Sequence, residues 1–467
     1  MHKETEHITE LVLKAAARAR AESAEAEDET RISGPLRWPL DCQIGPGLEG
    51  AIACESKVGF VNGSKGRLIY RGYDVFDLCA YATFEEVCYL LLHGELPTED
   101  QLRAFKANLV SHRHIQATKR RLMGFPVEEM NAMAALRLGT LLMRQEFTFL
   151  DKDFGRPDIA SAIGSDEDSI PMETKPYGER RAIYEFRGRW RRRTSLRSPS
   201  RDAVGLESCY RLIAGVSSLA AAIARIRQGH LPIEPDPKLG HAANFLYMLT
   251  GEKPSPIETR IMDIALILHA DHGMNASTFA AMVVASTLSD FYFAVGSGIA
   301  ALNGPLHGGA NEQVIHTLHE IGSPRKTKAW CKRAIAKKAR IMGFGHRVYK
   351  VYDPRARVLQ PLAALASKSH REGARLFRIA RALEKDVHAT IGRKKKIYPN
   401  VDYFSGIVYA SLGISPDVFT PIFAVSRVAG WTARVYEYLQ HNRIFRPRAM
   451  YVGEFDRPYV PLKRRKK

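Results

Sequence analysis

The chain has 467 residues, a formal charge of +19, 45% hydrophobic and 25% charged residues, which excludes disordered, fibrous and low-complexity classes and suits more than one packed domain. No stretch reads as the roughly 20 uninterrupted apolar residues of a spanning helix. The six cysteines form neither a paired framework nor Cys-x-x-Cys, which suits a reducing compartment, by default the cytoplasm, and offers no thiolate zinc site.

The N-terminal stretch MHKETEHITELVLKAAARARAESAEAEDETR lacks a signal-peptide core, and its acidic residues disfavour a transit peptide; an exposed helical extension over 1–45 is expected. A connector from Ser33 to Gly50 follows, punctuated by Gly34-Pro35, Pro39 and Gly45-Pro46-Gly47. Between Lys57 and Tyr70, Asn62-Gly63 separates short apolar runs and predicts a β-hairpin, expected to be nearly the only sheet. From there the period is helical. Phe84, Val87, Cys88, Leu91 and Leu92 share one face, the run stops at Gly94 with Pro97 beyond, and Thr98 with Gln101 offers a capping box for the next helix. The pattern recurs to the end, so the fold class is mainly α. The segment from about Asp151 to Arg201 breaks it with prolines, an acidic patch and an arginine run, and reads as a basic surface insertion.

Four clusters set polar residues into apolar helical patterns. IMDIALILHADHGMNAST ends a buried stripe with His269 and His272, one turn apart. LNGPLHGGANEQVIHTLHEIG puts His307 on a glycine-flanked loop before a new helix, where a neutral imidazole can donate to a carbonyl acquiring charge. KKARIMGFGHRVYKVYDPRAR combines a Gly-Phe-Gly turn, His346, Arg340, Lys350 and Arg355, chemistry that suits a phosphate-bearing ligand but matches neither the Walker nor the dinucleotide pattern. IYPNVDYFSG sets Asp402 among aromatic and apolar residues, where desolvation raises a carboxylate towards a useful base. Each cluster also has a plainer reading: satisfied core histidines, a turn histidine, a solvated basic face, and an Asp capping the next helix.

Taken together, RGYDVFDL, FEEVCYLLLHGELP, HADHGMNAST, LNGPLHGGANE, GFGHRVYKVYDPRAR, YPNVDYFSG, VSRVAGW and RPRAMYVG resemble, in order, the blocks of the citrate synthase family from about Gly47 to Val460. The ending is more similar to its shorter, dimeric members. The resemblance implies a large helical domain (46–307 and 413–467, carrying the 151–201 insertion) and a small CoA-binding lid domain (308–412). It implies condensation of acetyl-CoA with oxaloacetate and release of CoA, with no permanently bound cofactor and no metal. The catalytic trio would be His307, His346 and Asp402. Oxaloacetate would meet His272, Asn275, Arg355, Arg427 and Arg446, the last donated across a homodimer interface, with His269 behind them. Arg340, Ile341, Met342, Gly343, Phe344 and Lys350 would hold CoA. Two departures stand out: Gly273 follows the substrate histidine where many members carry Glu, and the insertion is longer and more basic than usual.

Three other readings fit parts of the sequence. 2-Methylcitrate synthase would use propionyl-CoA with the same trio, a difference of one methylene. The histidines and Asp402 as a zinc site would need ligands more closely spaced than these. The arginine run, with Tyr184, Phe186 and Trp190 for stacking, would make a nucleic-acid surface; neither nucleic acid nor membrane is the expected partner.

Overall fold

The computed structural model describes residues 5–24, 44–150, 201–392 and 396–449, with isolated positions beyond. The arginine run and most of the C-terminal 463–467 run therefore lie outside the described residues. The order begins with α1 (Glu6–Glu22), β1 (Gly59–Asn62), β2 (Arg67–Tyr70), β3 (Tyr73–Asp74), α2 (Val75–Tyr81), α3 (Phe84–His93), α4 (Glu99–Ser111), α5 (Gln116–Leu122) and α6 (Ala132–Leu150). It continues with α7 (Arg201–Arg227), α8 (His241–Thr250), α9 (Pro256–His269), α10 (Ala276–Ser286), α11 (Phe291–Leu302), α12 (Ala310–Ile321) and α13 (Thr327–Ala336). The last are α14 (Pro354–Ala366), α15 (Arg371–Val387), α16 (Val401–Ser411) and α17 (Phe419–Leu439).

Local chemistry explains the punctuation. Thr83 with Glu86, Thr98 with Gln101 and Ser255 with Glu258 form reciprocal capping boxes that satisfy the first free amides of α3, α4 and α9. Gly94 ends α3 in the left-handed region, at φ 92°. The sheet has one strand more than a hairpin: β1 pairs antiparallel with β2, Gly59 opposite Tyr70, and β2 with β3. Asn62 closes the first turn by accepting from the Lys65 amide at 2.8 Å and the Ser64 hydroxyl at 2.9 Å.

The core is built around α17, buried from Phe419 to Val435 and packed on α3, α7, α10 and α11. Such all-round burial explains its near-continuous apolar sequence. Gly205–Arg227 of α7 is long and apolar enough to cross a membrane, and its apolar window is 78% buried inside the protein, against α6, α8 and α17. It is a core helix, interrupted by too few polar residues to be recognised as amphipathic.

The described helix of the N-terminal extension is not the exposed one expected, since one face is buried. Ile8, Val12, Ala15 and Ala16 of α1 are buried against α2 and α14. The Thr9 hydroxyl donates to the Ala80 carbonyl, and Glu22 pairs with Arg357 of α14. The i, i+4 spacing of Ile8 and Val12 marks this face, but the surrounding charge obscures it.

α12 to α16 pack largely on one another. The hairpin reaches them through its turn: the Lys350 amide donates to the Gly63 carbonyl at 3.0 Å. A Cβ at Gly63 would come within 2.2 Å of the Val348 carbonyl oxygen, so only glycine allows that approach.

Candidate active site

His269 is the last residue of α9, and His272 lies three residues on, outside the helix. The expected pair on one helical face is thus a helix end plus a turn. The turn is held by Asp271, fully buried, which takes the Arg434 guanidinium side-on at 2.7 and 2.8 Å and the Gly273 amide at 3.1 Å. Gly273 has φ +59°, a left-handed position that glycine occupies without strain. Burial first, then Arg355, His346 and Arg427, holds the His272 imidazolium well below its usual range. His269 donates from Nδ1 to the Ala265 carbonyl at 2.7 Å, and its own carbonyl accepts from Arg427 Nε at 2.6 Å. It supports the site from behind.

His346 stands 5.2 Å from the His272 ring, edge to face. Its Nδ1 accepts from the Val348 and Tyr349 amides at 3.0 and 3.1 Å, so the neutral ring carries its proton on Nε2. That Nε2 lies 3.4 Å from Arg355 Nη2. Both are then donors, and two donors side by side suit an oxygen-rich guest. Burial foremost lowers the His346 pKa to about 4, with Arg355 and Lys350 adding and Asp353 opposing. The ring is a neutral donor at physiological pH.

His307 occupies the loop before α12, its Nε2 2.8 Å from the Ser277 hydroxyl and 3.3 Å from the Ser277 amide nitrogen. An amide pointing at Nε2 marks it as the acceptor and leaves the proton on Nδ1. Burial, then Arg427, lowers its pKa to about 4. The neutral imidazole expected from the helix terminus is present, with desolvation as the leading cause.

Asp402 lies in the first turn of α16, and the cap of that helix is Asn400, which accepts from the Asp402 amide at 3.1 Å. The capping alternative for Asp402 therefore falls. The residue is 9% exposed, its Oδ1 is buried with no hydrogen-bond partner, and burial raises its pKa to about 7 against the pull of Arg355. An unpaired carboxylate near neutrality is a base in waiting.

The guanidiniums come from two helices. Arg355 of α14 is clamped by Asp353 at 2.9 and 3.1 Å, and Asp353 also accepts the Val401 amide, tying this arginine to the start of α16. Arg427 of α17 is 1% exposed, and its Nη2 is buried without a partner. Burying an unpaired guanidinium nitrogen is costly, so this atom is placed for an anionic ligand. Asn275 caps α10, its Oδ1 accepting from the Thr278 amide at 3.1 Å with the Ser277 hydroxyl 2.8 Å away. Arg446 is exposed on its own chain.

The Gly343–Gly345 turn has both glycines left-handed, at φ +79° and +81°. It is zipped to the approach to α16: the Asn400 amide donates to the Gly343 carbonyl at 2.9 Å and the Gly345 amide to the Tyr398 carbonyl at 2.8 Å. Ile341 and Phe344 are buried, whereas Arg340 and Lys350 are exposed. A cavity of about 420 Å³ runs between Arg340 and Met342 on one side and Asn303, Pro305, Leu306 and Gly309 of the His307 loop on the other. Among the described residues no group of His, Cys, Asp and Glu is arranged to hold a metal ion.

Sequence reasoning missed Asp271 with Arg434, Asp353 as the clamp of Arg355, and Ser277 behind His307. Their polar character in buried surroundings was a signal, but their partners lie up to 163 residues away.

A helical scaffold that gathers a near-neutral carboxylate, neutral imidazoles and buried guanidiniums defines an acid–base enzyme for anionic substrates. The family model described as "Citrate synthase, C-terminal domain" matches residues 47–448. The chain is 41% identical to the citrate synthase of Synechocystis over 90% of its own length and 93% of that protein. It is 35% identical to the 2-methylcitrate synthase of Shewanella oneidensis over 90% and 98%. Among solved structures, citrate synthase from Pyrobaculum aerophilum has a TM-score of 0.76 at 36% identity, covering 93% of this chain and 100% of that one. The Thermoplasma acidophilum enzyme, solved with carboxymethyl coenzyme A and oxaloacetate, has a TM-score of 0.75 at 34% identity, covering 91% and 100%. The chain belongs to the citrate synthase family.

Proposed function

We propose that the chain condenses acetyl-CoA with oxaloacetate and hydrolyses the citryl-CoA thioester to citrate and CoA. Asp402 takes a proton from the acetyl methyl group while the Nδ1–H of His307 donates to the enol oxygen. The enol carbon attacks the ketone carbon of oxaloacetate, and the Nε2–H of His346 passes its proton to the developing alkoxide and is replaced from solvent, to which Asp402 later releases the proton it removed. Water then cleaves the thioester and CoA leaves. Positioned proton-transfer groups of this kind contribute about 10²–10⁴-fold each. The observation that carries the reading is Asp402, a buried carboxylate with an unpaired oxygen and a pKa of about 7.

Arg355, Arg427 and His272 hold the oxaloacetate carboxylates, with Arg446 reaching in from the partner of a homodimer. Asn275, which caps α10, adds a further oxaloacetate contact. Arg340 to Phe344 and Lys350 receive CoA beside the 420 Å³ cavity. Residues 308–412 form the domain that closes over the substrates, which excludes water until condensation is done. The cytoplasm is the proposed compartment.

The test is CoA release from oxaloacetate with acetyl-CoA or propionyl-CoA, in chelator-treated buffer, for wild type, Asp402→Ala and His307→Ala. Wild-type turnover that collapses in both variants is expected, with acetyl-CoA the better substrate by kcat/KM. A preference for propionyl-CoA would move the assignment to 2-methylcitrate synthase. Folded enzyme inert to both thioesters would refute the reading.

A further inference from the structure

The Ser277 hydroxyl sits at a junction of three contacts. It lies 2.8 Å from His307 Nε2 and 2.8 Å from Asn275 Oδ1, and it accepts from the indole Nε1–H of Trp431 at 3.2 Å. A serine hydroxyl has one proton and two lone pairs. The indole nitrogen can only donate, so Trp431 fills one of those lone pairs permanently. A hydroxyl that accepts in this way becomes a better donor through its own proton.

Two acceptors compete for that proton. Asn275 Oδ1 already accepts from the Thr278 amide as the cap of α10, and a carboxamide oxygen is a far weaker base than a neutral imidazole nitrogen. His307 Nε2, approached by the Ser277 amide as well, receives it along the line that leaves the ring proton on Nδ1. Nδ1–H is the donor that the enol oxygen needs.

Trp431 is fully buried and its indole lies on α11, where a Cβ at Gly298 would come within 3.0 Å of it. It follows Arg427 by one helical turn on α17, so both residues project from the same face. One rigid helix thus supplies the guanidinium for the dicarboxylate and the N–H that orients the imidazole for the thioester.

We infer that Trp431 is a positioning residue for the condensation, its indole N–H selecting through the Ser277 hydroxyl the His307 tautomer that donates from Nδ1. The inference rests on the role of His307 proposed above.

The decisive variant replaces Trp431 with benzothienylalanine, in which sulfur stands for the N–H and the ring keeps its shape. Trp431→Phe and Ser277→Ala, alone and combined, accompany it. Loss of one orienting hydrogen bond should lower kcat about fivefold to tenfold, with KM for oxaloacetate within about twofold because Arg427 and Arg355 are untouched. Acting through Ser277, the tryptophan change should have no further effect once Ser277 is Ala.

Full kcat in the benzothienyl enzyme would overturn the inference even if Trp431→Phe fails to fold. So would losses that multiply in the double variant, since two independent packing defects would do that. If His307→Ala retains activity, the proposed role of His307 falls and this inference with it. If His307→Ala is inactive while the benzothienyl enzyme is not, the tryptophan inference alone falls.

Discussion

Replacing Asp402 with Asn reads the electrostatics of the site through stability. Burial raises this carboxyl from its ordinary 3.8 to about 7. Between those values the folded chain holds a proton that the unfolded chain has released, so acid favours folding across that window. Above about pH 7 both states are ionised, and the folded state bears the whole difference of about three pH units. At roughly 1.4 kcal/mol per unit this costs about 4 kcal/mol as a ceiling. Asparagine has the same shape and no charge. The variant should therefore resist urea better than wild type at pH 8 by up to that amount, by less than about half of it at pH 5, and not at all near pH 3. Its CoA release should be lost at every pH. A variant less stable than wild type at pH 8, or an advantage that does not shrink on acidification, would refute the assignment of a buried, unpaired carboxylate.

The same raised pKa predicts an acid limb in the pH profile: wild-type kcat/KM should fall about tenfold per pH unit below about 7, as Asp402 gains its proton. Arg427→Lys should raise KM for oxaloacetate by at least about tenfold in steady-state assays, because an ammonium cannot serve both the His269 carbonyl and a carboxylate from one planar fork. Asp271→Ala should destabilise the enzyme by about 3–5 kcal/mol in urea unfolding, since it strands the buried Arg434 guanidinium. Removing residues 1–24 uncovers the seat of Ile8, Val12, Ala15 and Ala16 and should lower Tm by several degrees in a thermal scan.

Much of this was legible because it is local. The capping box at Thr98, the stop at Gly94 and the turn at Asn62 are each written within a few residues, and they form as spaced. His307, His346 and Asp402 could be singled out because polar groups break apolar patterns there. Their surroundings could not. The fork of Arg434 on Asp271 and the indole of Trp431 on Ser277 join segments more than 150 residues apart, which no periodicity records. Asn275 shows a local signal passed over: its spacing to Thr278 is that of an ordinary helix cap. The end of α9 at His269 fell between two histidines that the helical period alone would have kept together.

The seat of α1 has a mechanical consequence. This helix touches α2, next to the hairpin, and α14, which is capped by Asp353 and carries Arg355. It spans the two like a splint across a joint. Any hinge movement that separates α14 from α2 must peel the splint from one side or carry it along with the other. The apolar face from Ile8 to Ala16 and the Glu22–Arg357 pair set the force such a movement has to overcome.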